Sequence, residues 1–285
     1  MTPFQAFLLS ILQGATEFLP ISSSAHLVFA QELLRDKAVL SNGEMLFDVL
    51  VHVGTLLSIV FLFRAHLIQL IRYAFVEAWD FSGRGGLKGA WLEDGRGRLI
   101  VAIFLANVPT GLIGVLGKDY LEGLFKNPQH VGWELCVNGL LLAVTLFIKP
   151  RLGEAQETKR FSFPFWKAFL VGVMQGVAII PGISRSGATI VMALLLGLDR
   201  RTAGEFSFLI VIPAILGAVL LQSLEFTADS AVLSLPAAII AVVVSAAAGY
   251  VFLRLLLRFV RGGQFGYFSI YCLAVGIWAI CWFPR

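Results

Sequence analysis

Six apolar stretches, each 19 to 27 residues long, constrain this chain more than any other feature of its sequence. A helix of that length is what crossing the hydrocarbon core of a bilayer requires. The stretches are 45–64, 98–117, 131–149, 203–224, 231–257 and 264–283. Charged residues make up 14% of the chain, whereas a soluble domain carries about 25%. We therefore predict an all-α integral membrane protein with six transmembrane helices in a single membrane domain.

Two further apolar regions, 4–34 and 165–198, differ from simple spans because each is interrupted near its middle. Pro20 and the serines at 22–24 interrupt the first, and a Pro-Gly pair followed by Ser-Arg-Ser at 184–186 interrupts the second. Each half is too short to cross a membrane at 1.5 Å per residue. A pair of half-length helices meeting at a polar break predicts a re-entrant helical hairpin, enclosed by protein or by a water-filled cavity.

The two interrupted regions are related to each other by a shift of 162 positions. Between Ala6 and His26, 8 of 21 positions are identical after the shift, including a Gln-Gly pair and both serines of a Ser-x-Ser pattern. Three spans separate the hairpins, so the second enters from the opposite face, which predicts a 3+3 inverted-topology repeat. The predicted parts are repeat one at 1–149, a cytoplasmic linker at 150–164 and repeat two at 165–285.

The distribution of basic residues predicts the orientation in the membrane. With this topology, 16 Lys and Arg residues lie on one side and 5 on the other, and Arg185 lies within the membrane. The positive-inside rule makes the richer face cytoplasmic. We therefore expect both termini outside a bacterial cytoplasmic (inner) membrane, and a site open to the outer face.

Two other sequence features predict no chemistry of their own. The Gly- and Arg-rich segment 80–98 lacks the Gly-Lys-Ser/Thr ending of a phosphate-binding loop, so we expect a flexible cytoplasmic loop. The three cysteines lie far apart and form no CxxC pair, so we do not expect a zinc or redox site. We also expect no nucleic-acid partner.

Polar and ionisable side chains inside a membrane indicate a functional site, because burying them there is costly. Those around the two breaks are Gln13, Thr16, Glu17, Ser22, Ser23, Ser24, His26, Ser184, Arg185, Ser186 and Thr189. Each break begins a helix rich in hydroxyls, and a helix N-terminus attracts anions. An Arg presents a planar fork of donors that suits phosphate. The residues thus favour a phosphate or pyrophosphate ligand where the two breaks meet.

Structural alternatives exist for several of these residues. A serine at a helix start is often only an N-cap, Glu17 with Arg185 fits a structural ion pair, and His26 fits a satisfied core histidine. His52 either lines the same cavity or packs between helices, and the sequence leaves open whether Asp48 reaches the site.

Two motifs give the chain a specific resemblance. The stretch 13–26, Gln-Gly-Ala-Thr-Glu-Phe-Leu-Pro-Ile-Ser-Ser-Ser-Ala-His, resembles the first signature of the bacterial undecaprenyl pyrophosphate phosphatase family. The stretch 181–189, Pro-Gly-Ile-Ser-Arg-Ser-Gly-Ala-Thr, resembles its second signature. The resemblance implies removal of one phosphate from undecaprenyl pyrophosphate, which regenerates the lipid carrier of cell-wall synthesis. It also implies bacitracin resistance, a divalent cation (Mg²⁺ or Ca²⁺) and a polyprenyl pyrophosphate partner in the bilayer; a homodimer stays open.

The resemblance also implies roles for individual residues. The implied catalytic residues are Glu17, Ser23, His26 and Arg185, with Glu17 also the candidate metal ligand. The implied substrate-binding residues are Gln13, Ser22, Ser24, Ser184, Ser186 and Thr189. Two positions depart from the commonest family pattern: Gln13 stands where Glu is frequent, and Ala25 where Gly is usual. The first departure weakens any scheme that needs two carboxylates on the metal.

The expected mechanism is an in-line phosphoryl transfer in which Ser23 attacks after losing its proton to His26. In a variant of this hypothesis, His26 attacks directly or activates a water. The alternative function is a transporter or flippase of a polyprenyl phosphate lipid, which would use the same anion site at the membrane midplane.

Overall fold

The computed structural model describes residues 1–33, 44–79, 89–124, 127–148, 161–224 and 233–283, which form helices and no strand. The α-helices are α1 (Pro3–Phe18), α2 (Ser23–Leu33), α3 (Glu44–Phe75), α4 (Gly95–Leu116), α5 (Lys118–Leu124), α6 (Pro128–Ala143), α7 (Phe165–Val177), α8 (Arg185–Leu195), α9 (Arg200–Leu224), α10 (Leu235–Arg261) and α11 (Phe268–Trp282). Short 3-10 or π turns lie at Glu77–Trp79, Gly89–Glu93, Val144–Phe147 and Phe265–Tyr267.

Within the described residues, six helices are long and apolar enough to cross a membrane, which confirms the six predicted spans. They are Leu46–Phe75, Gly95–Leu116, Pro128–Phe147, Arg200–Ser223, Leu235–Arg261 and Phe265–Trp282. The first is longer than the predicted 45–64, because helix α3 continues through a less apolar stretch until Phe75. That stretch contains no Pro or Gly, the residues that most often end a helix.

Parts of the sequence predictions lie outside the described residues. These parts are residue 34, 80–88 of the predicted loop, 149–160 with most of the predicted linker, 231–232 and 284–285. The described end of the predicted loop, 89–98, is helical rather than flexible: a π turn at Gly89–Glu93 leads into α4. Asp94 caps α4 by accepting a hydrogen bond from the Arg96 backbone N–H at 2.8 Å.

Helix α1 begins and ends where the sequence dictates. Thr2 and Gln5 form a capping box at its start, and each side chain bonds the other's backbone N–H. The helix ends before Leu19, whose backbone is extended because Pro20 follows it. Ser22 then adopts a positive φ of 68°, which turns the chain into α2.

The second break has the same design with different residues. Helix α7 ends at Val177, and Gly182 turns the chain with a φ of 99°, a conformation that glycine adopts without steric cost. Ser184 then caps α8 through a 3.1 Å hydrogen bond from the Gly187 N–H to its Oγ. The two breaks therefore each contain a left-handed residue shortly before a new helix.

Each of three close helix pairs joins helices that are distant in sequence. Helix α1 lies along α10, α7 lies along α4, and α6 packs against α11. Small residues allow the close approach: a Cβ on Gly276 would lie 2.8 Å from the Gly132 carbonyl oxygen. Phe18, Leu135 and Phe206 are almost fully buried in one core cluster, which also contains Ile21 of the first break.

Candidate active site

The first break brings three polar side chains together. Glu17 lies in the last turn of α1, and Ser23 is the first residue of α2. The Ser23 hydroxyl donates to Glu17 Oε2 at 2.7 Å, and the Gln13 amide Nε2 donates to the same oxygen at 3.1 Å. Because Gln13 and Glu17 are four residues apart on one helix, their side chains lie on the same face. The carboxylate therefore holds the serine against α1.

The second break supplies the positive charge. Arg185 is the first residue of α8, and its Nη2 donates to Glu17 Oε1, forming an ion pair between residues 168 positions apart. The Glu17 side chain is 5% exposed and that of Arg185 is 22% exposed, so the pair is shielded from solvent. The structure thus brings Glu17, Ser23 and Arg185 into one cluster.

Two further hydrogen bonds join the breaks around this cluster. The Ser186 hydroxyl donates to the Phe18 carbonyl at 2.9 Å, and the Gly182 N–H donates to Ser24 Oγ at 3.4 Å. Because both bonds cross from one break to the other, they fix the position of Arg185 relative to Glu17.

The predicted substrate-binding hydroxyls of the second motif bond to the protein itself. Ser184 caps α8, Ser186 bonds to the first break, and Thr189 donates to the Arg185 carbonyl at 2.8 Å. All three residues are buried. In the first motif, Ser22 Oγ and Ser24 Oγ lie 3.0 Å apart. A direct substrate contact for these hydroxyls stays a prediction.

His26 lies near the cluster, but both of its ring nitrogens are already engaged. Nδ1 is 2.8 Å from the Ser22 carbonyl, which can only accept, so Nδ1 carries the proton. Nε2 then accepts from the Tyr271 hydroxyl at 2.8 Å. The Ser23 proton points to Glu17 instead. The role of His26 as the base for Ser23 therefore stays a prediction, and this arrangement offers Glu17 as the nearer acceptor.

His52 lines the same cluster, which decides between the two alternatives for this residue. Its Nδ1 is 2.7 Å from the Asp48 carbonyl oxygen, which makes Nδ1 the protonated nitrogen. Its Nε2 lies 4.0 Å from Glu17 Oε2, and the side chain is 35% exposed.

Asn138, which is not among the predicted site residues, holds both breaks from helix α6. Its Oδ1 accepts the Ser184 N–H at 3.0 Å, and its Nδ2 donates to the Pro20 carbonyl at 2.9 Å. The residue is fully buried. A lone Asn in an apolar span is itself a signal, because a polar side chain at that depth needs a partner. Tyr271 was also missed, since nothing in its sequence context points to His26.

The cluster fits a divalent-cation site that takes only a few of its ligands from the protein. Gln13 Oε1 is buried and has no hydrogen-bond partner, beside the carboxylate of Glu17. Among the described residues, no group of three or more His, Cys, Asp and Glu side chains is arranged to hold a metal. Mg²⁺ commonly binds one or two protein oxygens and takes its other ligands from water and substrate phosphates. Glu17 and Gln13 would supply two such oxygens, which matches that pattern. They do not by themselves form a complete set of protein ligands.

Comparison with protein families identifies the chain. The family model described as "Bacitracin resistance protein BacA" matches residues 6–278, nearly the whole length. The chain belongs to the BacA family. The resemblance of its two motifs is thereby confirmed.

Curated relatives match the chain from end to end. The undecaprenyl-diphosphatase of Desulfosudis oleivorans is 39% identical over 277 residues, covering 97% of each chain. That of Carboxydothermus hydrogenoformans is 38% identical over 283 residues, covering 97% of this chain and 96% of the relative. That of Methanobrevibacter smithii is 35% identical over 280 residues, with the same coverage. Membership of the BacA family therefore extends over the whole six-helix architecture.

Proposed function

We propose that this protein hydrolyses undecaprenyl pyrophosphate to undecaprenyl phosphate and inorganic phosphate. The observation that carries the proposal is the cluster of Ser23, Glu17 and Arg185, which combines a nucleophile, a proton acceptor and a phosphate-binding guanidinium. The relatives that share the BacA family with this chain are named for that activity. They give no support to the alternative function of a transporter or flippase.

The proposed architecture is two re-entrant hairpins within a 3+3 inverted repeat. Helices α1 and α7 begin 162 positions apart, at Pro3 and Phe165, and α2 and α8 begin the same distance apart, at Ser23 and Arg185. Each opening helix packs on the second long helix of the other half, α1 on α10 and α7 on α4. This reciprocal packing is what two halves related by a two-fold axis produce, and it supports repeats at 1–149 and 165–285 joined by the linker 150–164.

The proposed orientation follows from the basic residues. Both termini face the outside of a bacterial cytoplasmic membrane, and the cluster opens to the outer face, because the basic ends of the long helices belong in the cytoplasm. Helix α10 illustrates the asymmetry, since its last turn carries Arg258 and Arg261 whereas its first turn has no basic residue.

The substrate's terminal phosphate binds where the two breaks meet. Helices α2 and α8 each contribute their first residue, Ser23 and Arg185, to the cluster. The positive poles of these helix ends and the guanidinium together suit a group with several negative oxygens. When the phosphate arrives, Arg185 exchanges part of its contact with Glu17 for phosphate oxygens. A cation held by Glu17 and Gln13 would neutralise further phosphate charge.

Ser23 then attacks the terminal phosphorus. A bond forms between Oγ and phosphorus, the anhydride P–O bond breaks, and undecaprenyl phosphate leaves with the electron pair, while the serine proton passes to Glu17. A water molecule next cleaves the phosphoserine. Glu17 returns its proton to Ser23 Oγ, and one proton of the water is released to solvent. In-line transfer of this kind depends mainly on positioning and on charge stabilisation, which the two breaks provide.

Phosphate release from undecaprenyl pyrophosphate by the purified protein tests the proposal. We would compare wild type with Ser23→Ala, Glu17→Gln and Arg185→Lys, each with a divalent cation and with a chelator. Ser10→Ala is the matched control, since Ser10 is a buried serine on α1 whose hydroxyl donates to the Ala6 carbonyl. Loss of activity in the three cluster variants, with Ser10→Ala fully active, is the expected result. A folded wild type that binds the lipid and releases no phosphate would instead favour the transporter.

A further inference from the structure

A groove on the outer surface of the helix bundle lies between α3 and α10, apart from the active-site cluster. It has a volume of about 520 Å³. Its walls are apolar, formed mainly by Leu57, Val60, Phe61, Ala246, Ala247 and Tyr250. That volume falls within the roughly 300–1,000 Å³ typical of small-molecule sites. The groove is therefore large enough for part of an extended lipid chain.

Arg64 lines one end of the groove, and Arg254 lies beside it on the same aromatic pair, outside the lining itself. The rings of Phe61 and Tyr250 meet edge to face, with centroids 5.5 Å apart. The Arg64 guanidinium lies 4.6 Å from the Phe61 centroid, and that of Arg254 lies 5.5 Å from the Tyr250 centroid. Cation–π contacts of this kind hold both guanidiniums beside the aromatic pair.

Among the described residues, no acid compensates the charges of these two arginines. In the part of the chain that the structure describes, neither Arg64 nor Arg254 forms an ion pair, and their hydrogen bonds go to the Phe61 carbonyl and the Tyr250 hydroxyl. Arg72, two turns further along α3, pairs with Glu77 at 3.4 Å by contrast. Two uncompensated guanidiniums beside an apolar groove are complementary to an anion that carries an apolar chain.

The two arginines lie too far from the active-site cluster to bind the substrate's head group. His52, which faces Glu17, lies 12 residues before Arg64 on α3, which corresponds to about 18 Å along the helix. A polyprenyl pyrophosphate with its head group at Glu17 and Arg185 would place no charge near Arg64. The occupant must carry its own anionic head group at the Arg64 end and direct its chain toward the level of the active site.

We propose that this groove is a binding site for an anionic phospholipid. The phosphodiester binds between Arg64 and Arg254, and one acyl chain lies along Leu57, Val60 and Ala247. In the orientation proposed above, the arginine end lies in the cytoplasmic leaflet, where anionic lipids attract basic residues. The site does not depend on the phosphatase activity.

The test measures how much lipid remains bound to the full-length protein by native mass spectrometry from detergent micelles. Phosphatidylglycerol and phosphatidylcholine with identical acyl chains are the two probes. Wild type is expected to retain one phosphatidylglycerol, with a clear preference over phosphatidylcholine. The double variant Arg64→Gln/Arg254→Gln is expected to weaken phosphatidylglycerol binding by about thirtyfold, since each basic residue near the surface contributes roughly 1 kcal/mol.

Two further variants separate the contributions of charge and of the groove. Ala247→Trp fills the groove from the exposed surface of α10 and leaves both arginines in place, so it should reduce the retention of phosphatidylglycerol as well. Arg72→Gln removes the same charge from α3 outside the groove and should leave retention unchanged. Thermal unfolding of each variant verifies that it is folded.

Three outcomes would overturn the proposal. One is equal retention of both lipids by wild type, and another is undiminished retention by the double arginine variant. The third is displacement of phosphatidylglycerol by a short-chain polyprenyl phosphate at equal concentration, which would assign the groove to the prenyl chain of the substrate or product. Loss of phosphate release in Ser23→Ala bears only on the proposed function and leaves this test unaffected.

Discussion

Ser23 and Glu17 are joined by a hydrogen bond of 2.7 Å, in which the serine hydroxyl donates to the carboxylate oxygen Oε2. The bond crosses from the start of α2 to the last turn of α1, so the turn at Ser22 sets its length. The other carboxylate oxygen is bound by Arg185. One carboxylate therefore orients both the nucleophile and the group that binds phosphate.

Substitutions in the Glu17–Arg185 pair should show that its effect on stability is distinct from its effect on activity. Glu17→Gln leaves a buried guanidinium without its anion, which we expect to cost about 3 kcal/mol of unfolding free energy. Adding Arg185→Met removes that guanidinium and should restore most of the stability, whereas phosphate release stays lost. Thermal unfolding in detergent and phosphate release are measured on the same preparations.

Arg201→Met, which removes a surface partner of Glu205, is the control and should change both the stability and the activity little. A double variant less stable than Glu17→Gln alone would contradict the argument.

Replacing Asn138 should lower kcat, because this residue holds the two breaks in position. Asn138→Leu keeps the side chain's size and leaves the Ser184 N–H and the Pro20 carbonyl without their amide partner. Each lost partner costs about 1–3 kcal/mol. We expect kcat to fall at least tenfold with a small change in KM, because the substrate's own contacts remain. Asn107→Leu removes a comparable amide from α4, whose Oδ1 accepts from Gln175, and should have a much smaller effect.

A second substitution, Asn138→Asp, tests whether the hydrogen bonds of Asn138 matter rather than its volume. A protonated Asp at this position can both donate to the Pro20 carbonyl and accept from the Ser184 N–H, whereas an ionised Asp can only accept. The activity of Asn138→Asp relative to wild type should therefore rise as the pH falls, while that of Asn138→Leu should show no such gain. Identical pH profiles for the two variants would indicate that Asn138 only fills space.

Gln13→Glu should change the dependence on divalent cations. The Gln13 amide donates to Glu17 at 3.1 Å, so a Glu there would place two carboxylates side by side, where they repel each other until a cation binds. We expect half-maximal activity at about a tenfold lower Mg²⁺ or Ca²⁺ concentration, because an additional charged ligand strengthens such sites. Cation titrations of phosphate release measure this shift. Gln175→Glu, at the position related to Gln13 by the repeat, is the control and should not shift the titration.

Tyr271→Phe tests what His26 contributes. The substitution removes the hydroxyl that donates to His26 Nε2 and leaves the bond from Nδ1 to the Ser22 carbonyl. If the ring serves to anchor the first break, kcat should fall by about fivefold, which corresponds to the loss of one neutral hydrogen bond. An increase in kcat would show instead that Nε2 works as a base once released. Tyr267→Phe, on the exposed turn before α11, is the control.

The sequence predicted the elements whose causes are local. Six apolar stretches of sufficient length became six long helices, and the chain breaks at Pro20 and before Ser184 because prolines and a glycine there cannot continue a helix. The two motifs also located Glu17, Ser23 and Arg185 correctly in one cluster. In the described chain, two boundaries differ most from the prediction. Helix α3 is longer than its predicted span, and the segment that leads into α4 is helical.

What the sequence could not predict depends on contacts between distant residues. Asn138 meets Pro20 and Ser184, which are 118 and 46 positions away, so its sequence context does not reveal these partners. The direction of the His26 ring is set by Tyr271, 245 positions away on the last helix. The Ser186 hydroxyl of the second motif bonds inside the protein for the same reason. Its acceptor, the Phe18 carbonyl, becomes a neighbour only when the bundle has formed.

The ion pair between Glu17 and Arg185 has a consequence for how the protein is made. At about 5–20 residues per second, a ribosome needs roughly 10 to 30 s to advance from one partner to the other, 168 residues later. During that interval the first half enters the membrane with a carboxylate that has no guanidinium to meet it. The half-made chain therefore has no complete site, and it gains one only when the second half has been inserted and has docked against the first.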